Sequence, residues 1–296
     1  MSDSQTVLVT GASGTVGSFL VPLLADHGVI VRAVSRRGLL PDGLGQGVVG
    51  ARVDLRDPRC VAEILVGVDR LFLCTPLEED MADVAARVVA QACQAGVRQI
   101  VRLSALGAGG GGKTRLAAIH EQTEECLRRA GVPRVFLRPN AFMQNTIAHF
   151  ADSIRRYGSF RAPQGVGRVS AVDARDVAAV AARVLTQSAT DNACFDLTGP
   201  EALSNQDIAA VLGRLLGREI RYCDTEPGET RATLLAQGLS AWLTDIVMEL
   251  YDLISRGGAA RVSPDVAVVL GRAPASFQAF AADNVLHFHE GNAASK

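Results

Sequence analysis

The chain has 296 residues, 48% hydrophobic and only 5% aromatic, enough to bury one large core or a nucleotide domain with a smaller appendage. Its formal net charge is −1, so no general field attracts nucleic acid or an anionic membrane, and no apolar run approaches the length of a bilayer span. Met1 to Gln5 lacks a basic region and a signal-type apolar run, and the six cysteines (Cys60, Cys74, Cys93, Cys126, Cys194, Cys223) show no C-x-x-C spacing; they read as reduced core residues of a cytoplasmic protein, with no metal expected.

Strand and helix signals alternate over the first two thirds of the chain, the pattern of a parallel sheet covered on both faces. The first strand runs from Thr6 to Val9 and its helix from about Thr15 to His27, with Pro22 inside it costing a hydrogen bond or a slight bend. Strand Val29 to Val34 follows, then an apolar strand ending at Val53-Asp54 and a helix after Pro58 that carries Val61, Ile64 and Leu65. Strand Leu71 to Leu73, a helix from about Glu79 to Ala95 and strand Ile100 to Leu103 continue the alternation. The loop Ala105 to Thr114 holds five glycines and leaves the carboxyl end of a strand, where ligands of such sheets bind; it reads as a mobile active-site loop, or else as a solvated linker.

A helix from about Leu116 to Ala130 and strand Arg134 to Leu137 lead to Arg138-Pro139-Asn140, after which Phe142 to Asn145 open the next helix. Short strands around Ser159 to Arg161 and Arg168 to Ser170 precede a helix starting near Asp173 to Asp176, then strand Phe195 to Leu197 and a helix capped by Ser204. From Glu226 onward the chain reads as helical, with Trp242, Leu243, Ile246, Val247 and Leu250 at helical spacing, either a substrate lid or plain helix packing. The expected fold is α/β: a Rossmann-type doubly wound parallel sheet over residues 1–157, to which 168–200 return, with a smaller, mainly helical substrate-binding region over 201–296.

Gly11-Ala12-Ser13-Gly14-Thr15-Val16-Gly17 stands between the first strand and its helix, the arrangement that receives a dinucleotide pyrophosphate. Gly11 allows the turn, Gly14 lets phosphates approach the backbone, and Gly17 lets the helix sit close on the strand. The second strand ends in Val34-Ser35-Arg36-Arg37, with no carboxylate for a ribose 2′-OH; a hydroxyl and two arginines suit a 2′-phosphate, so NADP(H) is expected over NAD(H). Asp54, followed by Leu55, either meets the adenine amino group or caps the helix ahead of Pro58.

The glycine motif, Leu73-Cys74-Thr75-Pro76, His120-Glu121-x-Thr123-Glu124, Leu137-Arg138-Pro139-Asn140-x-Phe142-Met143-x-Asn145 and Val172-Asp173-x-Arg175-Asp176-Val177-Ala178 occur in that order. Together they resemble the atypical short-chain dehydrogenase/reductases of the NmrA-like group. The resemblance extends to Leu197-Thr198-Gly199-Pro200 and, weakly, to Ser263-Pro264-Asp265 and Phe277-x-x-Phe280, nearly the whole chain. It implies a nicotinamide dinucleotide cofactor. The group includes NAD(P)H:quinone and azo-dye reductases, more distantly isoflavone-reductase-like enzymes, and redox-sensing regulators that bind NADP without turning it over. A subset of similar bacterial proteins reduces ketones on the polycyclic aromatic polyketides of antibiotic biosynthesis.

Most short-chain reductases use a Tyr-x-x-x-Lys pair with a serine on the preceding strand end. Here Ser104 keeps the serine, but the tyrosines are Tyr157, Tyr222 and Tyr251, and the matching helix offers His120 and Glu124 on one face. His120 either donates a proton with Glu124 as partner or ties the helix to a neighbouring loop. Thr75 and Pro76 are expected beside the nicotinamide ribose, and Cys74 among the cofactor-binding residues. Asn140 and Phe142 are expected beside the substrate, Phe142 being equally a core residue. The expected activity is reduction of a ketone or quinone carbonyl on a small aromatic substrate by a monomer or homodimer; a non-enzymatic NADP(H) sensor, or an epimerase or dehydratase with retained cofactor, are the rivals.

Overall fold

The computed structural model describes residues 5–38, 47–187 and 191–289; Met1 to Ser4, read above for signal character, and residues 290–296 lie outside them. In chain order the elements are β1 (Thr6–Thr10), α1 (Gly17–Asp26), β2 (Ile30–Ser35), β3 (Val48–Arg52), α2 (Pro58–Leu65), β4 (Arg70–Leu73), α3 (Met81–Gln94), β5 (Gln99–Leu103), α4 (Arg115–Ala130) and β6 (Arg134–Pro139). Then come α5 (Gln144–Tyr157), β7 (Ser159–Ala162), β8 (Arg168–Val169), α6 (Ala174–Thr186), β9 (Ala193–Leu197), β10 (Leu203–Ser204), α7 (Asn205–Leu216) and β11 (Arg221–Asp224). Helices α8 (Pro227–Ala236), α9 (Ala241–Ser255), α10 (Asp265–Leu270) and α11 (Phe277–Asp283) and a 3-10 turn, Val285–Phe288, complete the described chain.

Seven strands form one parallel sheet in the order β3-β2-β1-β4-β5-β6-β9, the Rossmann-type arrangement expected from the alternation. Every residue of β1 is buried, because it lies mid-sheet with helices over both faces. Leu8, Leu71, Leu73, Ile100 and Phe136 point to one face and pack with Val61 and Leu65 of α2, Val88 and Val89 of α3 and Leu127 of α4. Strand alternation sends Val7, Val9, Phe72, Val101 and Val135 to the other, where α1 and α6 pack together. Val177, Val180, Val184 and Leu185 of α6 are fully buried, each contributing about 1.5–3 kcal/mol. At the edge β3 is largely exposed, since it has one neighbour only.

The chain divides into two units. The first holds the sheet: residues 1–139, 174–197 and 265–271, so it ends at Pro139 rather than at 157 and takes back both α6 with β9 and, unforeseen, α10. The second contains 140–173, 198–264 and 272–296. In it α5 packs with β7 and the 3-10 turn around Phe160, Ile154, Leu212 and Phe280, which is why α5 leaves the sheet unit. The second unit also has two small sheets, β8 against β10 antiparallel and β7 with β11 parallel; β11 escaped the sequence reading. Ser204 caps α7 as expected, in a capping box with Asp207.

The cysteines correct the sequence reading. All six are free thiols, but none is fully buried: Cys60 and Cys126 are half-buried against the core, Cys74 is half-buried, and Cys93, Cys194 and Cys223 are exposed. Cys194 and Cys223 lie in strands with a single neighbour, which leaves an edge open to solvent.

Gly17 is the tightest point of the sheet unit. A Cβ there would lie 2.2 Å from Gly11 O and 2.8 Å from Ala12 Cα, both backbone atoms with little room to yield. Replacing Gly17 by Ala is expected to destabilise the fold by about 1–3 kcal/mol, as overpacking does; a denaturant midpoint equal to the parent's refutes this.

Candidate functional site

A cavity of about 630 Å³ opens at the carboxyl ends of β1, β2, β3 and β4. Strand order reverses between β1 and β4, and this is where open parallel sheets bind ligands. Gly11, Ser13 and Gly14 form one wall, Ser35, Arg36 and Arg37 the end of β2, Asp54 and Leu55 the end of β3, and Cys74, Thr75 and Pro76 the end of β4. Of the other motif residues, Ala12, Val16 and Gly17 are buried behind the turn and Thr15 is exposed; none of the four lines the cavity.

Local chemistry explains the shape. Gly11 adopts φ +67°, and Gly14 N donates back to Gly11 O at 2.9 Å, closing the turn. Thr10 Oγ1 accepts from Cys74 N at 2.8 Å, fastening β1 to β4 where they part. Val16, the N-cap of α1, has no side chain to satisfy the helix amides. Among the described residues, the amides of Ser13, Thr15, Val16 and Gly17 make no hydrogen bond. A dinucleotide fits this cradle: four free N–H groups at a helix N-terminus suit a pyrophosphate. Thr75 Oγ1, buried and without a partner, is a further unused polar atom on the wall.

Several wall residues were missed by the sequence reading: Thr10, Val34, Val53, Arg56, Asp80, Met81 and Val84. Arg56 is the consequential one. Its Nε donates to Asp80 Oδ2 and its Nη2 to Asp80 Oδ1, each at 2.7 Å, and it also pairs with Glu78, whose other oxygen accepts from Arg36 at 2.5 Å. The hydrogen bonds from Arg56 hold the carboxyls of Glu78 and Asp80 below their ordinary range. Asp54 is not the cap of α2; Asp57 is, accepting from Arg59 N at 2.9 Å, while Asp54 Oδ1 accepts from Arg56 N at 3.0 Å. Only Arg56's position two residues beyond Asp54 hinted at it.

Ser104, one residue past β5, is buried and donates to Glu124 Oε1 at 2.6 Å. Glu124 is fully buried on α4 and also accepts from Arg138 Nε and Arg128 Nη2, both at 2.8 Å. Burial alone would raise its carboxyl; the bonds from Arg138 and Ser104 outweigh that and hold it low. The expected pairing of His120 with Glu124 is therefore corrected. They share a helix face, but the adjacent β5 and β6 ends bring Ser104 and Arg138 to the carboxylate, and His120 Nδ1 is buried with no partner. Burial, with help from the charge of Arg102, lowers His120 to about 3. Arg102 is 1% exposed and donates one bond, Nη1 to Leu73 O at 3.1 Å; its Nε and Nη2 find no protein acceptor, and burial lowers its pKa to about 10.

Asn140 and Phe142 belong to the second unit. The Asn140 amide is fully engaged: Nδ2 donates to Ser170 Oγ and Ala259 O, and Oδ1 accepts from Ala141 N, all at 2.9 Å. Phe142 is half-buried and bridges Val172 through its backbone. No described helix is long and apolar enough to cross a membrane.

Comparison with known proteins places these features. The profile of NAD(P)H-binding domains matches residues 11–188. An NAD(P)H azoreductase of Xenophilus azovorans is 34% identical, the match covering 93% of this chain and 96% of that protein. A (4-alkanoyl-5-oxo-2,5-dihydrofuran-3-yl)methyl phosphate reductase of Streptomyces griseus subsp. griseus is also 34% identical, over 95% of this chain and 99% of its own length. The crystal structure of the Escherichia coli NADPH-dependent quinone oxidoreductase QOR2 with NADPH superposes with a TM-score of 0.84 at 25% identity, covering 94% of this chain and 99% of that one.

The lowered His120 has a consequence for acid stability. Between its folded value of about 3 and its ordinary 6.5, the unfolded chain binds a proton that the native chain does not. Stability is thus full above the ordinary value and falls as pH drops below it. Glu124 acts the same way, but lower, because its contribution is lost only as pH falls through its depressed folded value. His149, also lowered by burial, shares the upper window. The midpoint of urea unfolding is expected to fall between about pH 6.5 and 5, and less steeply in His120→Leu than in the parent; equal slopes refute the assignment.

Proposed function

We propose, from the premise that the chain belongs to the NAD(P)H-binding family and is an oxidoreductase of NmrA-like type, that it delivers hydride from NADPH to a quinone or ketone carbonyl conjugated to an aromatic ring. In this reading the free amides of Ser13, Thr15, Val16 and Gly17 hold the pyrophosphate, and Ser35, Arg36 and Arg37 receive the 2′-phosphate. Asp54 accepts from the adenine amino group, and Thr75 with Pro76 borders the nicotinamide ribose. Bound there, the cofactor supplies the hydride; the chain supplies position and field.

One observation carries the choice of acceptor. The hydroxyl proton of Ser104 is committed to Glu124, and His120 is neutral at any physiological pH. The sheet unit contains no tyrosine, since Tyr157, Tyr222 and Tyr251 all fall in the second unit. A site without a ready acid suits a carbonyl whose reduced form is stable as an anion. A quinone gives a phenolate, and a ketone beside a phenol carries its own proton. Ser104, its hydrogen already given, offers only an accepting oxygen, and neutral His120 can orient a hydroxyl but is a poor proton donor.

Steady-state oxidation of NADPH with a panel of quinones and polycyclic aromatic ketones tests the reading. Turnover is expected, with Ser104→Ala and His120→Ala retaining kcat within about tenfold, below the 10²–10⁴ that general acid–base catalysis contributes. Loss of a hundredfold or more with unchanged NADPH affinity would show that one of them is an essential acid. Tight binding of both oxidised and reduced cofactor with no turnover on any member would make the chain a sensor instead.

A further inference from the structure

The charges at the nucleotide-ribose end of the cavity are balanced. Arg36, Arg37 and Arg56 stand against Asp54, Glu78 and Asp80, a formal sum of zero where a bare arginine cluster would be strongly positive. Glu78 occupies the bridging place. One of its oxygens accepts from Arg36 at 2.5 Å and the other from Arg56, which is clamped in turn by both oxygens of Asp80. Arg37 makes no ion pair among the described residues.

We propose that Glu78 sets how strongly this chain prefers a 2′-phosphorylated dinucleotide, by competing with the 2′-phosphate for Arg36 and Arg56. The inference rests on the reading of the cavity as an NADP(H) site. A phosphate and a carboxylate are the same kind of guest for a guanidinium: planar N–H donors meet anionic oxygens, two at a time. Glu78 already holds one such oxygen on each arginine. A 2′-phosphate must therefore take those donors from it, and its own negative charge meets Glu78 and Asp80 as well as the arginines. A ribose 2′-OH has no such competition. These residues are exposed enough for exchange, the Glu78 side chain being 37% accessible and Arg36 52%. Ion pairs of this exposure are individually weak and exchange readily with water or another anion. Asp80 remains on Arg56 when Glu78 is withdrawn, so Arg56 keeps its position and gains free donors.

Dissociation constants for NADPH and NADH, measured by nucleotide fluorescence on the full chain, test this without reference to turnover. Glu78→Gln keeps the shape and removes the charge. It is expected to tighten NADPH about three- to tenfold, the release of two exposed ion pairs, and to move NADH by less than twofold. Arg56→Ala is expected to weaken NADPH selectively. A NADPH-to-NADH ratio in Glu78→Gln within twofold of the parent's overturns the inference, and so does weaker NADPH binding, which would make Glu78 a support for the arginines rather than a competitor. If the parent itself binds NADH as tightly as NADPH, the NADP(H) reading fails and the inference with it. Melting curves matched to the parent show that each variant is folded.

Discussion

Everything at the carboxyl edge of the sheet depends on how closely α1 approaches the first turn. The backbone of Gly17 stands where no Cβ has room, against Gly11 O and Ala12 Cα. That contact fixes the axis of α1, and with it the direction in which the unbonded amides of Ser13, Thr15, Val16 and Gly17 point. The same turn fixes β4: a Cβ on Gly11 would lie 3.2 Å from Cys74 Sγ, so Cys74 lies directly against the turn while its backbone is fastened to Thr10. Thr75 follows immediately. A single steric limit near the start of the chain therefore places both the anion-binding amides and the orphaned hydroxyl of the next wall.

The unit carries two charge clusters of different kinds, and their burial decides what each can do. Glu124 is fully buried among Ser104, Arg128 and Arg138. Removing one partner from such a cluster costs about 3–5 kcal/mol, since the charge left behind has no water. It is a rigid tie between α4 and the ends of β5 and β6. The Arg36, Arg56, Glu78 and Asp80 cluster lies at the surface, where each pair is individually weak. Such contacts cannot hold a fold together, but they can trade partners with an arriving anion. The first cluster braces the ends of β5 and β6; the second, on the proposed reading, tunes what binds at the cavity.

What could be read from the sequence follows the same division between local and distant causes. The glycine motif is legible because its demands are met within seven residues: a left-handed turn, a close approach and a helix start. Parallel-sheet alternation and the Ser204 cap are legible for the same reason. That His120 and Glu124 do not pair was not legible. The i, i+4 rule puts Glu124 on its face of α4, yet says nothing about what the facing strands present, and Ser104 lies twenty residues away in sequence. Arg56 was equally hidden, because its value as a wall residue comes from Glu78 and Asp80, 22 and 24 positions on. The cysteines misled because apolar neighbours in sequence do not reveal which strands will be edges. Asn140 looked like a ligand residue at a strand end, but its amide is consumed by Ser170, Ala259 and its own neighbour.

The electrostatics around His120 bear most directly on chemistry. Arg102 is buried with two nitrogens lacking protein acceptors, and its charge is one reason His120 stays unprotonated. The sign of that field is the same for any group nearby: it opposes a second cation and favours an anion. Burial, the larger cause of the lowered His120, opposes charge of either sign, so only the charge of Arg102 favours an anion. An alkoxide of ordinary basicity gains little there, since it still needs a proton. On the proposed reading a phenolate needs none, and the charge of Arg102, which adds to burial in keeping His120 unprotonated, favours the phenolate's negative charge. On that reading the acceptor is selected by how well it carries negative charge, before its size or shape enters.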